Sequence, residues 1–283
     1  MSRRGALPVL AALALGACAA DQGEVYRDYA AMLTTAGGLR ADGAPADALY
    51  SNAELATNFN RIALFREYRR EGGTLLQEET ATRLSRWDEP IRYQIVGQGA
   101  TPADRAEYAG LAKRFSRLTG LRITETDREP NVSILILEPE ERAAFIRALE
   151  KEGAAARMPL VTQWADSVAY PCIGQVGYLD PRDGRISGAM VLIKSELSGL
   201  LRRSCIHEEL AQTLGLMNDA ADVRPSIFND DQEFALLTEH DETLLRILYD
   251  PRLRPGMTAD EAMPLVREIV AEIRPEDAAA PPQ

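Results

Sequence analysis

From Glu208 to Asp219 the chain reads Glu-Glu-Leu-Ala-Gln-Thr-Leu-Gly-Leu-Met-Asn-Asp, and this short run constrains much of what surrounds it. Glu208 and Gln212 are four residues apart, so a helix carries both on one face. Glu209 stands beside Glu208, and Gly215 predicts the end of that helix. A helix over about Leu197–Leu216 holds the run. Just upstream, Gly174–Leu179 and Ile186–Ile193 flank Asp180-Pro181-Arg182-Asp183-Gly184, a loop with hairpin chemistry.

The remaining pattern is of class α+β with a mixed sheet. Residues 18–50 read as a flexible linker with at most one short helix, around Val25–Leu33. Residues 51–85 read as a helical lead-in. Its helix runs from Asn52 to Arg70, with Leu55, Phe59, Ile62, Ala63 and Tyr68 as the buried stripe. The main domain spans 86–257, where Ile91–Val96 alternates as a strand. Thr101, Pro102 and Asp104 start a helix that Gly120 closes. Strands follow at Leu121–Thr126 and Val132–Leu137, then helices at Pro139–Glu152 and Gln232–Tyr249. A C-terminal helix occupies 258–273, and the Pro/Ala-rich tail 274–283 frays. Trp87 and Trp164 read as packing aromatics.

The N-terminus predicts the compartment. Arg3 and Arg4, an apolar run from Ala6 to Leu15 and the small residues Gly16-Ala17 form a secretory signal over 1–17. Cys18 directly after Leu15-Gly16-Ala17 resembles the bacterial lipobox, which implies acylation of Cys18 and a membrane anchor; cleavage near Ala20 is the alternative. Ala19 after the cysteine implies the outer membrane, with the protein facing the periplasm. In that oxidising compartment the even pair Cys172 and Cys205 reads as a disulfide, against the alternative of two unrelated buried thiols. The net charge of −11, more negative once the signal is removed, argues against a nucleic-acid partner.

The run from Glu208 resembles the metzincin zinc-protease helix, His-Glu-x-x-His-x-Leu-Gly-Leu-x-His. The resemblance extends to Arg86-Trp87, to the hairpin before the helix, and to Ser226-Ile227-Phe228-Asn229, where Phe228 stands for the Met-turn methionine. It implies a zincin-like, matrixin-type fold with Glu209 at the general-base position, a bend at Gly215 that returns Asn218 towards the face of Glu208 and Gln212, and a cleft floored by the helix and roofed by Gly174–Leu179 with Phe228 as its apolar base. Glu208, Gln212 and Asn218 occupy the three ligand positions. His207 is out of register and reads as a neighbour of the site. The C-terminal half, with Leu-Tyr-Asp-Pro-Arg-Leu, is also similar to a family of bacterial lipoproteins catalogued as a domain of unknown function.

The substituted ligands change the chemistry. Carboxamides are feeble zinc donors, so the expectation is no cofactor and no zinc peptidase activity. Three alternatives stay open. Gln212 can bridge Glu208 and Asn218 in a metal-free polar lock. Glu208, Gln212, Asn218 and Asp219 can hold an oxygen-ligated divalent cation. Glu209 can serve a divergent hydrolase, assisted by Glu208 or Asp219. The expected partner is an extended peptide or envelope protein along strand 174–179; a purely structural lipoprotein is the further possibility.

Overall fold

The computed structural model describes residues 21–71, 74–229 and 231–275. The signal segment, Cys18 and the last residues of the tail lie outside them. Among the described residues no helix is long and apolar enough to cross a membrane.

The centre is a five-stranded sheet built from β3 (Ile91–Val96), β4 (Ile123–Glu125), β5 (Val132–Leu137), β6 (Cys172–Tyr178) and β7 (Ile186–Lys194). Its order is β4-β3-β5-β7-β6. All neighbouring pairs are parallel except β6, which runs antiparallel to β7 at the edge. Alternation sends each strand's residues to two cores. Ile134, Ile136, Val191 and Ile193 face the larger one, with α3 (Pro102–Thr119), α6 (Gly199–Gln212) and α7 (Glu239–Leu248). Leu135, Leu137 and Leu192 face a smaller core with α4 (Pro139–Lys151) and α5 (Pro159–Asp166), where Trp164 is fully buried. The class is α+β, as the pattern predicts.

Local rules explain the helix starts. Thr101 and Asp104 form a reciprocal capping box at α3, with Pro102 at the first helical position. Asp104 also ties α3 to α6, because Arg202 donates to its two oxygens at 2.8 and 2.7 Å. Burial alone would raise the Asp104 carboxyl; the bonds from Arg202 and Thr101 outweigh it and hold the carboxyl below its ordinary range.

Two N-terminal expectations require correction. Residues 21–50 are not a linker. The helix α1 (Gln22–Thr35) is capped by Asp21, and Tyr26, Leu39 and Ala48 are buried in the larger core. The helix expected over Asn52–Arg70 ends early, as α2 (Asn52–Ala63). The chain then forms an antiparallel hairpin of β1 (Phe65–Glu71) and β2 (Thr74–Ala81). Tyr68 therefore belongs to a strand rather than to the helical stripe. Leu55, Phe59, Ile62 and Ala63 are buried as expected. The helix expected over Gln232–Tyr249 begins only at Glu239, where Thr238 and Asp241 cap it.

Candidate functional site

The face of α6 that carries Glu208 and Gln212 opens into a cleft of about 830 Å³. Strand β6 forms one wall. The lining also includes Arg66, Glu67 and Tyr68 of β1, Tyr29 of α1, and Tyr170 just before β6.

Two links fix α6 against β6. Cys172 and Cys205 are joined, with Cα atoms 5.9 Å apart, so the expected disulfide is present. One turn along the helix and two residues along the strand, Glu209 meets Gly174. The Gly174 N–H reaches the Glu209 carboxyl. A Cβ on residue 174 would stand 2.9 Å from a carboxyl oxygen of Glu209 and 3.2 Å from its main-chain oxygen. Only glycine permits this approach without a shift. The periodicities of helix and strand thus put disulfide and acid on one shared seam.

Glu209 is 6% exposed. Burial pushes its carboxyl well above the ordinary carboxylate range; the negative charges of Asp219 and Glu67 add to the rise, and the Gly174 N–H opposes it. Gln212 donates to Asp219 Oδ1 at 3.1 Å, so Asp219 turns into the cleft beside Gln212 and Glu209. Glu208 lines the mouth and helps burial to raise the Tyr29 hydroxyl.

Asn218 does not join them. Gly215, at φ +117°, bends the chain where a Cβ would lie 2.1 Å from the Ser85 carbonyl oxygen. The bend delivers the next residues to the C-terminus of α2. Main-chain N–H groups of Met217 and Asn218 donate to the Ile62 carbonyl at 3.1 and 3.2 Å. The Asn218 carboxamide donates to the Arg61 carbonyl and to Glu79 Oε1, both at 3.0 Å. Carbonyls at a helix end lack intrahelical partners; Asn218 satisfies those of α2 and is fully buried in doing so. The expected bridge from Gln212 to Asn218 is thereby replaced by one to Asp219.

His207 lies on another face of α6. Its Nδ1 accepts from the Leu237 N–H at 3.3 Å, so Nε2 carries the proton that Glu107 receives at 2.7 Å. Burial draws its pKa down, against the opposing effect of Glu107. Phe228 is fully buried in the larger core, while its neighbour Asn229 reaches the cleft. Ser226 Oγ donates to Asp241 Oδ1 at 2.5 Å and the Ile227 N–H donates to Oδ2 at 3.2 Å, so the cap of α7 also shapes the turn at Phe228.

The donor set on this face does not fit zinc. Three carboxyl groups and an amide already bonded to Asp219 offer no imidazole.

Residues 52–268 match the family described as "Protein of unknown function (DUF2927)". The chain belongs to that family. No curated protein matches the chain.

Among the cleft residues that the motif does not contain are Arg66, Glu67, Tyr68 and Tyr170. Gly72-Gly73 between two runs rich in Tyr, Thr and Leu is the sequence signal for the hairpin that brings the first three.

Proposed function

We propose that this chain is a cell-envelope lipoprotein whose zincin-like domain no longer uses zinc and binds an extended peptide along β6. What carries the reading is the sheet order β4-β3-β5-β7-β6 with one antiparallel edge strand, bonded to α6 at the Glu-Glu-x-x-Gln-x-Leu-Gly-Leu helix. An edge strand beside a cleft pairs its open main-chain groups with an extended partner. The absence of imidazoles among Glu208, Gln212 and Asp219 supports the loss of zinc chemistry. Anchoring through Cys18 rests on the lipobox sequence, and Ala19 after the cysteine supports an outer-membrane position facing the periplasm.

A second reading keeps chemistry. Glu209, buried beside Asp219 with its carboxyl pushed well above the ordinary range, favours a divergent hydrolase. Protein purified without chelators and assayed for metal content and peptide cleavage decides between them. Less than a tenth of an equivalent of zinc and no cleavage is the expected outcome; stoichiometric zinc with cleavage overturns the proposal. Mass spectrometry of the membrane fraction should find diacylglyceryl-modified Cys18 as the first residue, and an unmodified mature chain starting later removes the anchor.

A further inference from the structure

The chain between the proposed anchor and the folded domain is short. Cys18 stands three residues before Asp21, whose side chain caps α1 by accepting from the Gly23 N–H at 3.1 Å. An extended chain advances at most about 3.6 Å per residue, so three residues reach roughly 10 Å. The start of α1 is in turn fixed to the body of the protein. Tyr26 is buried in the larger core. Arg142 of α4 donates to the Gln22 side-chain oxygen at 3.2 Å and pairs with Glu196 at 2.7 Å, where both charged side chains are almost wholly enclosed. A long flexible linker lets a domain roam; this connection does not.

From that point α1 leads to the cleft. Tyr29 lies seven residues beyond Gln22 and lines the cleft. That step is about 10 Å along the helix axis, so Cys18 and Tyr29 are no more than about 20 Å apart. The tip of the β6–β7 hairpin lies elsewhere. Glu196 and Arg182 stand beyond opposite ends of β7, which has nine residues, and a strand of that length spans roughly 30 Å. The exposed residues along the start of α1, Asp21, Glu24, Arg27 and Asp28, are mostly acidic. Charge therefore does not draw this face to anionic lipid, as a basic cluster would.

We propose that the domain rests against the lipid headgroups by the exposed face of α1, held there by its short connection to acylated Cys18, with the Tyr29 side of the cleft beside the bilayer. This rests on Cys18 being the lipid anchor and adds the orientation that the anchor imposes. The tether makes the contact, since the face itself offers no basic cluster. A ligand that enters at Tyr29 does so within about 20 Å of the membrane, which favours a partner bound to the same membrane.

The test is fluorescence quenching by vesicles that carry nitroxide-headgroup lipid, on full-length protein extracted from membranes. The dye is placed on Asp28→Cys or on Arg182→Cys, both at exposed positions; the native pair Cys172 and Cys205 is bonded and does not take it. The Asp28 site should lose most of its emission and the Arg182 site little. Inserting a flexible Gly/Ser segment of about 20 residues after Ala20 adds about 25 Å of mean reach. It should restore the emission at the Asp28 site while the protein stays on the vesicles. Equal loss at both sites, greater loss at Arg182, or an insertion without effect overturns the orientation. Vesicle flotation and the mass of the first residue are read on the same samples. If Cys18 is unmodified and the protein does not float, the anchor reading falls and this inference falls with it; acylated protein without site-selective quenching removes the inference alone.

Discussion

Burial pushes the Glu209 carboxyl well above the range of a surface acid. Its folded pKa lies above the unfolded value, so the folded state binds the extra proton. The stability this contributes is complete below the unfolded carboxyl range and is lost as pH rises through the folded pKa. Glu209→Gln keeps the shape and removes the titration. Its melting temperature should exceed that of the parent at pH 8 and match it near pH 4, in thermal scans across that range; an equal drop at both values would mean that the parent carboxylate is ionised and paired. The neighbouring acid Asp104 acts in the other direction, its stabilisation appearing above the unfolded pKa and fading in acid, but it is common to both proteins and cancels in the difference. At this scale the sequence is informative wherever a side chain's direction follows from helical spacing. Glu208, Glu209 and Gln212 sit where three- and four-residue steps put them. Asn218 lies beyond the bend at Gly215, and its direction is set by the unsatisfied carbonyls of α2, some 157 residues earlier. No local spacing encodes that.

The elements around the cleft differ in how much of themselves they announce. The hairpin of β6 and β7 and the start of α3 follow from turn and capping residues, which act within a few positions. The hairpin of β1 and β2 is harder to read, because the apolar stripe of α2 continues in phase through Tyr68. The helix ends instead at Leu64, and the strand that follows places Tyr68 against the smaller core. The geometry after α6 leads to a prediction about restoring a metal. Asp219, rather than Asn218, faces Gln212 across 3.1 Å. Glu208→His with Gln212→His should therefore gain zinc at about one equivalent with Asp219 as third donor, as a carboxylate can complete a two-histidine site. Adding Asn218→His should not tighten it, and should lower the melting temperature by removing the cap of α2. Elemental analysis and thermal scans of the double and triple variants check both points. Zinc uptake by the triple variant alone would show that the chain after Gly215 swings towards α6.

On the scale of the whole molecule, the disulfide joins an edge strand to the helix beneath it across a sequence separation of 33 residues. A loop of that length implies roughly 3–4 kcal/mol of stabilisation. Cys172→Ser with Cys205→Ser should cost about that much in urea unfolding, and should loosen β6 ahead of the rest in hydrogen exchange; uniform loss of protection would mean that the bond supports the fold without governing the edge. The strand order could not be read from element spacing alone, since spacing does not say which strands neighbour one another. The hairpin of β1 and β2 has one more effect. Arg66 bonds Tyr178 at one end of β6, and Tyr68 bonds Tyr170 near the other, so β1 stands across the cleft from that strand and narrows the approach to its edge without pairing with it. Bare edges recruit other copies of the same chain. On the proposed membrane anchor such copies would meet at high local density, and the hairpin is expected to limit that contact. Excising residues 65–81 and joining the ends with a short glycine linker should yield a chain that scatters light and binds thioflavin T in a concentration-dependent manner, whereas the intact protein stays dispersed.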